Sequence, residues 1–191
     1  MKCALAGALL FSFCGAGKLT FEARVADLRK PGNALAQRKE PEDMVQVSAP
    51  GKMLDTPADV ERTTRDRAEW RTPEHALASV LSANINGELS WIVQNYVPSE
   101  RAEAGRQLSD PMALARTRTF YLNLGMVKLI GWADLEDKRI MFLRGADGDG
   151  DASIASVVLA KTAEGWRQTI GLNRDDRYDV IIAALHHSGV K

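Results

Sequence analysis

Three aspartates, Asp147, Asp149 and Asp151, alternate with Gly148 and Gly150 inside FLRGADGDGDASIAS (142–156). Carboxylates at that spacing open the loops that surround calcium with oxygen ligands. A loop started at Asp147 then needs glycine at its sixth position and a bidentate glutamate at its twelfth. Ala152 and Val158 stand there instead, and Val157-Val158-Leu159 has the composition of a strand. The stretch is read as a solvated hairpin turn in which the glycines supply positive φ. These three aspartates are the metal candidates of the chain, and no metal is expected on them.

The other chemistry-bearing types are sparser. His75, His186 and His187 are the three histidines; the adjacent pair points to different faces of a helix and no HExxH spacing exists. GAGKLT (15–20) has the outline of a phosphate loop, but Ser12 and Leu19 stand where glycine and a hydroxyl residue are required. No Gly-x-Ser-x-Gly elbow supports a serine hydrolase. Trp70, Trp91, Trp132 and Trp166 lack interleaved basic residues and read as packing anchors, not as a platform for bases. Twenty-five basic residues balance twenty-five acidic ones over 191 residues, so no net field draws nucleic acid or an anionic membrane.

The elements that must carry these residues differ along the chain. Met1-Lys2, the apolar run CALAGALLFSF and the small residues CGAG form a secretory leader over 1–17, with cleavage after Ala16 or Gly17. The run is too short to cross ~30 Å of hydrocarbon as a helix. The expectation is an exported chain, periplasmic or secreted, with no membrane contact in its mature form. Both cysteines, Cys3 and Cys14, would leave with the leader, and with them all thiol chemistry. Residues 18–71, with Pro31, Pro41, Pro50 and Pro57 and no sustained apolar period, read as a weakly ordered arm; MVQVS (44–48) is at most one short strand.

An ordered domain is expected over 72–191. Thr72-Pro73-Glu74 is a helix start and Asn86-Gly87 its stop, with Ala76, Leu77, Val80, Leu81 and Ile85 as the apolar stripe. Helices follow over ELSWIVQNYVP, SERAEAGRQL and, after Asp110-Pro111, MALARTRTFYLNLG, which Gly125 ends. The period then becomes extended in VKLIGWADL, RIMFLRG, ASIASVVLAKT and WRQTIGL, joined by short turns, as in an antiparallel meander. DRYDVIIAALHHSG closes the chain as a helix that packs Val180, Ile181, Ala184 and Leu185 on the sheet. The class is α+β.

TPEHALASVLSANINGELSWIVQNYVP resembles the opening helix, small-Asn-Gly-acidic break and second helix of the nuclear-transport-factor-2-like superfamily. AKTAEGWRQT resembles that superfamily's closing strand, turn and Trp-led strand, and the likeness spans about 72–172. It implies amino-terminal helices packed in a curved antiparallel sheet, a cone. The superfamily holds ketosteroid isomerase-, scytalone dehydratase- and polyketide cyclase-like enzymes beside pure binding and assembly domains, so fold does not fix function. Isomerase chemistry needs a carboxylate base and neutral donors in an apolar cone. Asp134, Tyr96 and Tyr121 are the residues that could be cast in those roles, and Trp91, Tyr121, Trp132 and Trp166 the pocket or core candidates.

The expectation is a non-catalytic binding or interaction domain with an apolar pocket for a small molecule, no cofactor, and a homodimer as its assembly. A small isomerase or lyase using the same pocket is the alternative. A structural module acting through an exposed sheet face is the third.

Overall fold

The computed structural model describes residues 17–146 and 152–187. Its frame is a six-stranded, curved, unclosed antiparallel sheet whose strands follow one another in chain order. They are β1 (Gly17–Arg24), β2 (Met44–Asp59), β3 (Val127–Leu135), β4 (Lys138–Ala146), β5 (Ala152–Thr162) and β6 (Gly165–Gln168). Four helices stand between β2 and β3: α1 (Pro73–Asn86), α2 (Leu89–Gln94), α3 (Arg101–Leu108) and α4 (Pro111–Asn123). A fifth, α5 (Asp176–His187), closes the described chain. The α+β class and the antiparallel meander follow from this order. None of the described helices is long and apolar enough to cross a membrane.

The caps form as the residue types dictate. Thr72 Oγ1 accepts from His75 N at 3.2 Å ahead of Pro73, and Asp110 Oδ1 accepts from Met112 N at 3.0 Å ahead of Pro111. Gly87 takes φ 71° and donates its N–H to Ala83 O at 3.0 Å, ending α1.

The central strands are apolar on both faces because both faces are covered. On one side Leu129, Trp132, Met141, Leu143, Val157 and Leu159 pack against Ala76, Leu77, Val80 and Leu81 of α1. On the other, Ile130, Ala133, Ile140, Phe142 and Val158 pack with Val180, Ile181, Ala184 and Leu185 of α5. Period-two alternation along β4 and β5 sends successive apolar residues to opposite cores.

The segment read as a weakly ordered arm (18–71) is instead where the sheet begins. β1 and β2 pair over Gly17↔Gly51 to Arg24↔Met44. Leu19, Phe21 and Ala23, and opposite them Val45, Val47 and Ala49, face α5, while Lys18, Thr20, Glu22 and Arg24 are exposed. One buried face out of two leaves such strands polar on average, which hides them from a search for apolar runs. Prolines are tolerated where the ladder is interrupted. Pro57 lies in the register break between Met53 and Ala58, and Pro50 precedes Gly51, where β2 passes from β1 to β3. The leader read over 1–17 falls, up to residue 16, outside the described residues. So do 147–151; β4 and β5 pair antiparallel up to Ala146↔Ala152 on either side of them.

The link from β1 to β2 is held on α5 by carboxylates. Asp179 accepts from Arg29 N (3.0 Å), Lys30 N (3.3 Å) and Asn33 Nδ2 (2.9 Å). Asp176 accepts from Ala34 N at 3.0 Å and from the Lys30 ammonium. The Lys30 ammonium and the Ala34 N–H hold the Asp176 carboxyl below the usual carboxylate range, and Arg177 does the same to Asp175. The folded chain therefore binds protons on these groups less readily than the unfolded chain does. Their stabilisation is complete above the ordinary carboxylate pKa of about 4 and is lost as the pH falls below it. Urea midpoints measured from pH 6 to pH 3 should fall, and Asp176→Asn should start lower at pH 6 and lose less over that range.

Candidate functional site

A polar knot fastens the helices to one edge of the sheet. Asn95, fully buried at the end of α2, accepts at Oδ1 from Trp70 Nε1 (2.8 Å) and Ser79 Oγ (2.7 Å). Its Nδ2 donates to Trp91 O at 3.1 Å, while Trp91 Nε1 donates to Ser79 Oγ at 3.0 Å. The backbone then seals β6: Gln168 N donates to Asn95 O (2.7 Å), Val97 N to Gln168 O (2.9 Å), and Trp166 N to Trp70 O (2.7 Å). Gly165 permits the last of these, since at φ 96° a Cβ there would stand 2.3 Å from Trp70 O.

The sequence candidates fall around this knot and along the helix-covered face. Trp91 is buried beside Ala83 and Ile92, and Trp132 belongs to the core under α1, with Trp166 and Tyr121 half-buried against that core. The Tyr121 phenol is pushed well up by burial, with a smaller contribution from Tyr96. Tyr96, bridged to Gln168, is pushed up by burial and then by Glu100. Both phenols therefore stay protonated at neutral pH. Asp134 accepts a two-point bond from Arg139, Nε at 2.8 Å and Nη2 at 2.9 Å. That guanidinium lies 3.9 Å over the Trp132 ring and 5.6 Å from Trp166.

A base for proton abstraction must be free to meet its substrate, and both oxygens of the Asp134 carboxylate accept from the stacked Arg139 guanidinium. Among the described residues no hydrogen bond joins Asp134 to either phenol. His75 lies 3.5 Å from Glu69 at the surface, and His186 is exposed. Asp147, Asp149 and Asp151 lie outside the described residues; among the described residues no group of three or more His, Cys, Asp or Glu is placed to hold a metal ion.

Among the described residues, a space that could hold a molecule lies at the opposite edge of the sheet. A cleft of about 940 Å³ runs between β1 and the carboxy-terminal half of α5. Its apolar lining is Leu19, Phe21, Ala23, Met53, Ala184 and Leu185. One end is charged: Arg24 donates to Asp27 at 3.0 and 3.2 Å, and His187 Nε2 lies 3.6 Å from the same carboxylate. None of the sequence candidates lines this cleft. The signal that could have located it is the alternation in KLTFEAR (18–24) and VQVSA (45–49), together with the apolar stripe of α5.

No family model matches the chain, and no curated protein does. Among solved structures it is similar to an NTF2-like transpeptidase from Campylobacter jejuni, at 11% identity and TM-score 0.38, covering 51% of this chain and 97% of that one. It is likewise similar to a SEC-C motif protein from Rhodopseudomonas palustris, at 15% identity and TM-score 0.35, covering 51% and 75%. A calcium/calmodulin-dependent protein kinase type II association domain from Thiobacillus denitrificans gives 17% identity and TM-score 0.35, covering 52% and 91%.

The knot gives a stability prediction. Asn95→Leu strands the half-buried Trp70 and the buried Ser79 donors and should cost about 3 kcal/mol, whereas Trp70→Phe, which removes one donor and leaves Asn95 Oδ1 with Ser79 alone, should cost about 1 kcal/mol. Urea unfolding at neutral pH measures both.

Proposed function

We propose that the chain is an exported, non-catalytic binding domain that takes a small apolar molecule in the cleft between β1 and α5. The observation that supports this reading is where apolar space lies open. The α1 side of the sheet is filled by Leu77, Val80, Leu81, Met141, Leu143 and Leu159, each at most 3% exposed. Beside β1, by contrast, Leu19, Met44 and Met53 are open, and with Phe21 and Leu185 behind them they line a volume suited to a ligand of ordinary size. A mostly apolar wall with a few charged groups at one end is the usual build of a small-molecule site. The isomerase alternative requires an unpaired carboxylate in an apolar cone, and Asp134 has the Arg139 guanidinium as its partner. Export rests on the charged, apolar and small-residue order of the first seventeen residues.

Two measurements test the reading. Titration with an apolar fluorophore such as anilinonaphthalene sulfonate should show saturable binding. Leu19→Asp should weaken it at least tenfold, because it sets a charge in the apolar wall on a half-exposed edge strand, with the melting temperature within a few degrees of the parent. Unchanged uptake in that variant would sink the cleft assignment. Amino-terminal sequencing of the protein recovered from the periplasm or medium should begin at Gly17 or Lys18.

A further inference from the structure

The two edges of the sheet are treated differently. The β6 edge is closed by the backbone bonds to Trp70, Asn95 and Val97. β1 is bonded to β2 on one side, and among the described residues no backbone group bonds to its other side. The cleft confirms the opening: consecutive residues Leu19 to Arg24 all line it. Alternate side chains of a strand point to opposite faces, so a cavity touching every one of them runs along the strand's free edge. An open edge of eight residues is a template for another strand.

We propose that this edge pairs with the same edge of a second copy, antiparallel, about a two-fold axis through Thr20. The exposed charges select that partner and that register. Lys18 and Glu22 form no ion pair among the described residues, and at i and i+4 along one strand they are too far apart to meet each other. Pairing about Thr20 sets each Lys18 opposite the second copy's Glu22, twice over, and on the apolar face sets each Leu19 opposite Phe21. Seven residues of each strand, 17 to 23, are then engaged. Pairing about Phe21 would place Lys18 opposite Arg24, and pairing about Glu22 would place two carboxylates together, both repulsive. Pairing about Ala23 matches Glu22 with Arg24 but engages three strand residues of each copy, and Arg24 is already bonded to Asp27. The result is a continuous twelve-stranded sheet, with the two β1–α5 clefts facing each other across the axis. The second copy's strand takes up the part of the cleft that runs along this edge, so the dimer and a ligand bound there compete for that space.

Sedimentation equilibrium of the chain as purified, with circular dichroism as a check on fold, tests the proposal. The parent should be a dimer. Lys18→Glu and Glu22→Lys should each weaken dimerisation about tenfold or more, since each converts two attractive pairs into two repulsive ones. The doubly swapped chain, Lys18→Glu with Glu22→Lys, should recover the parent affinity. These side chains are exposed, so the fold should be unaffected. A monomeric parent overturns the proposal, as would an edge occupied by another segment of this chain. So does a dimer indifferent to both single reversals, or a double swap that fails to recover.

Discussion

The constraint on which the structure depends is that its central strands are apolar on both faces. A sheet of that kind is stable only with a layer of helices on each side. α1 supplies one layer, with α2 to α4 packed around it, and α5 supplies the other. Once both layers are in place, each face of the central strands is filled by side chains of the sheet and of the helix over it. Neither face of the central strands is left bare, and what remains open is a margin where one layer ends.

That margin is set by an asymmetry between the edges. At β6 the chain leaving α2 turns along the strand and satisfies its backbone groups, and Asn95 fixes the turn by joining Trp70, Ser79 and Trp91 in one buried network. A fully satisfied network of this kind fixes one arrangement and resists being opened. At β1 there is no equivalent. The hairpin of β1 and the first half of β2 is covered by α5 on one face and by water on the other. Its outer edge and the adjoining apolar wall face the same cleft.

Much of the helical half was legible in the residues. Thr72-Pro73 and Asp110-Pro111 cap α1 and α4, and Gly87 ends α1, because these signals act within one turn of chain. The strands from β3 to β5 were legible because burial on both faces gives them apolar runs, and the short β6 by the Glu-Gly turn before Trp166. β1 and β2 were not: one face is polar, and Pro50 and Pro57 imitate a linker although they sit at a change of partner and a break of register. The candidate residues Asp134, Tyr96 and Tyr121 have suitable chemistry for proton transfer, but their meaning depends on neighbours. Arg139, five residues on, is brought against Asp134 by the β3–β4 hairpin.

From residue 72 onward the sequence by itself determined the local order: helices and then strands, their caps, the short turns, and a terminal helix with an apolar stripe. Those features arise from interactions between residues a few positions apart. Only the tertiary structure decided that residues 17–24 and 44–59 join the sheet, that α5 lies over them, and that open apolar space falls at an edge instead of inside the cone. Each of these is a pairing of segments well beyond the span of one local element, those with α5 more than a hundred residues apart, or an account of which volume is already filled. Neither quantity is written in any one stretch of the chain.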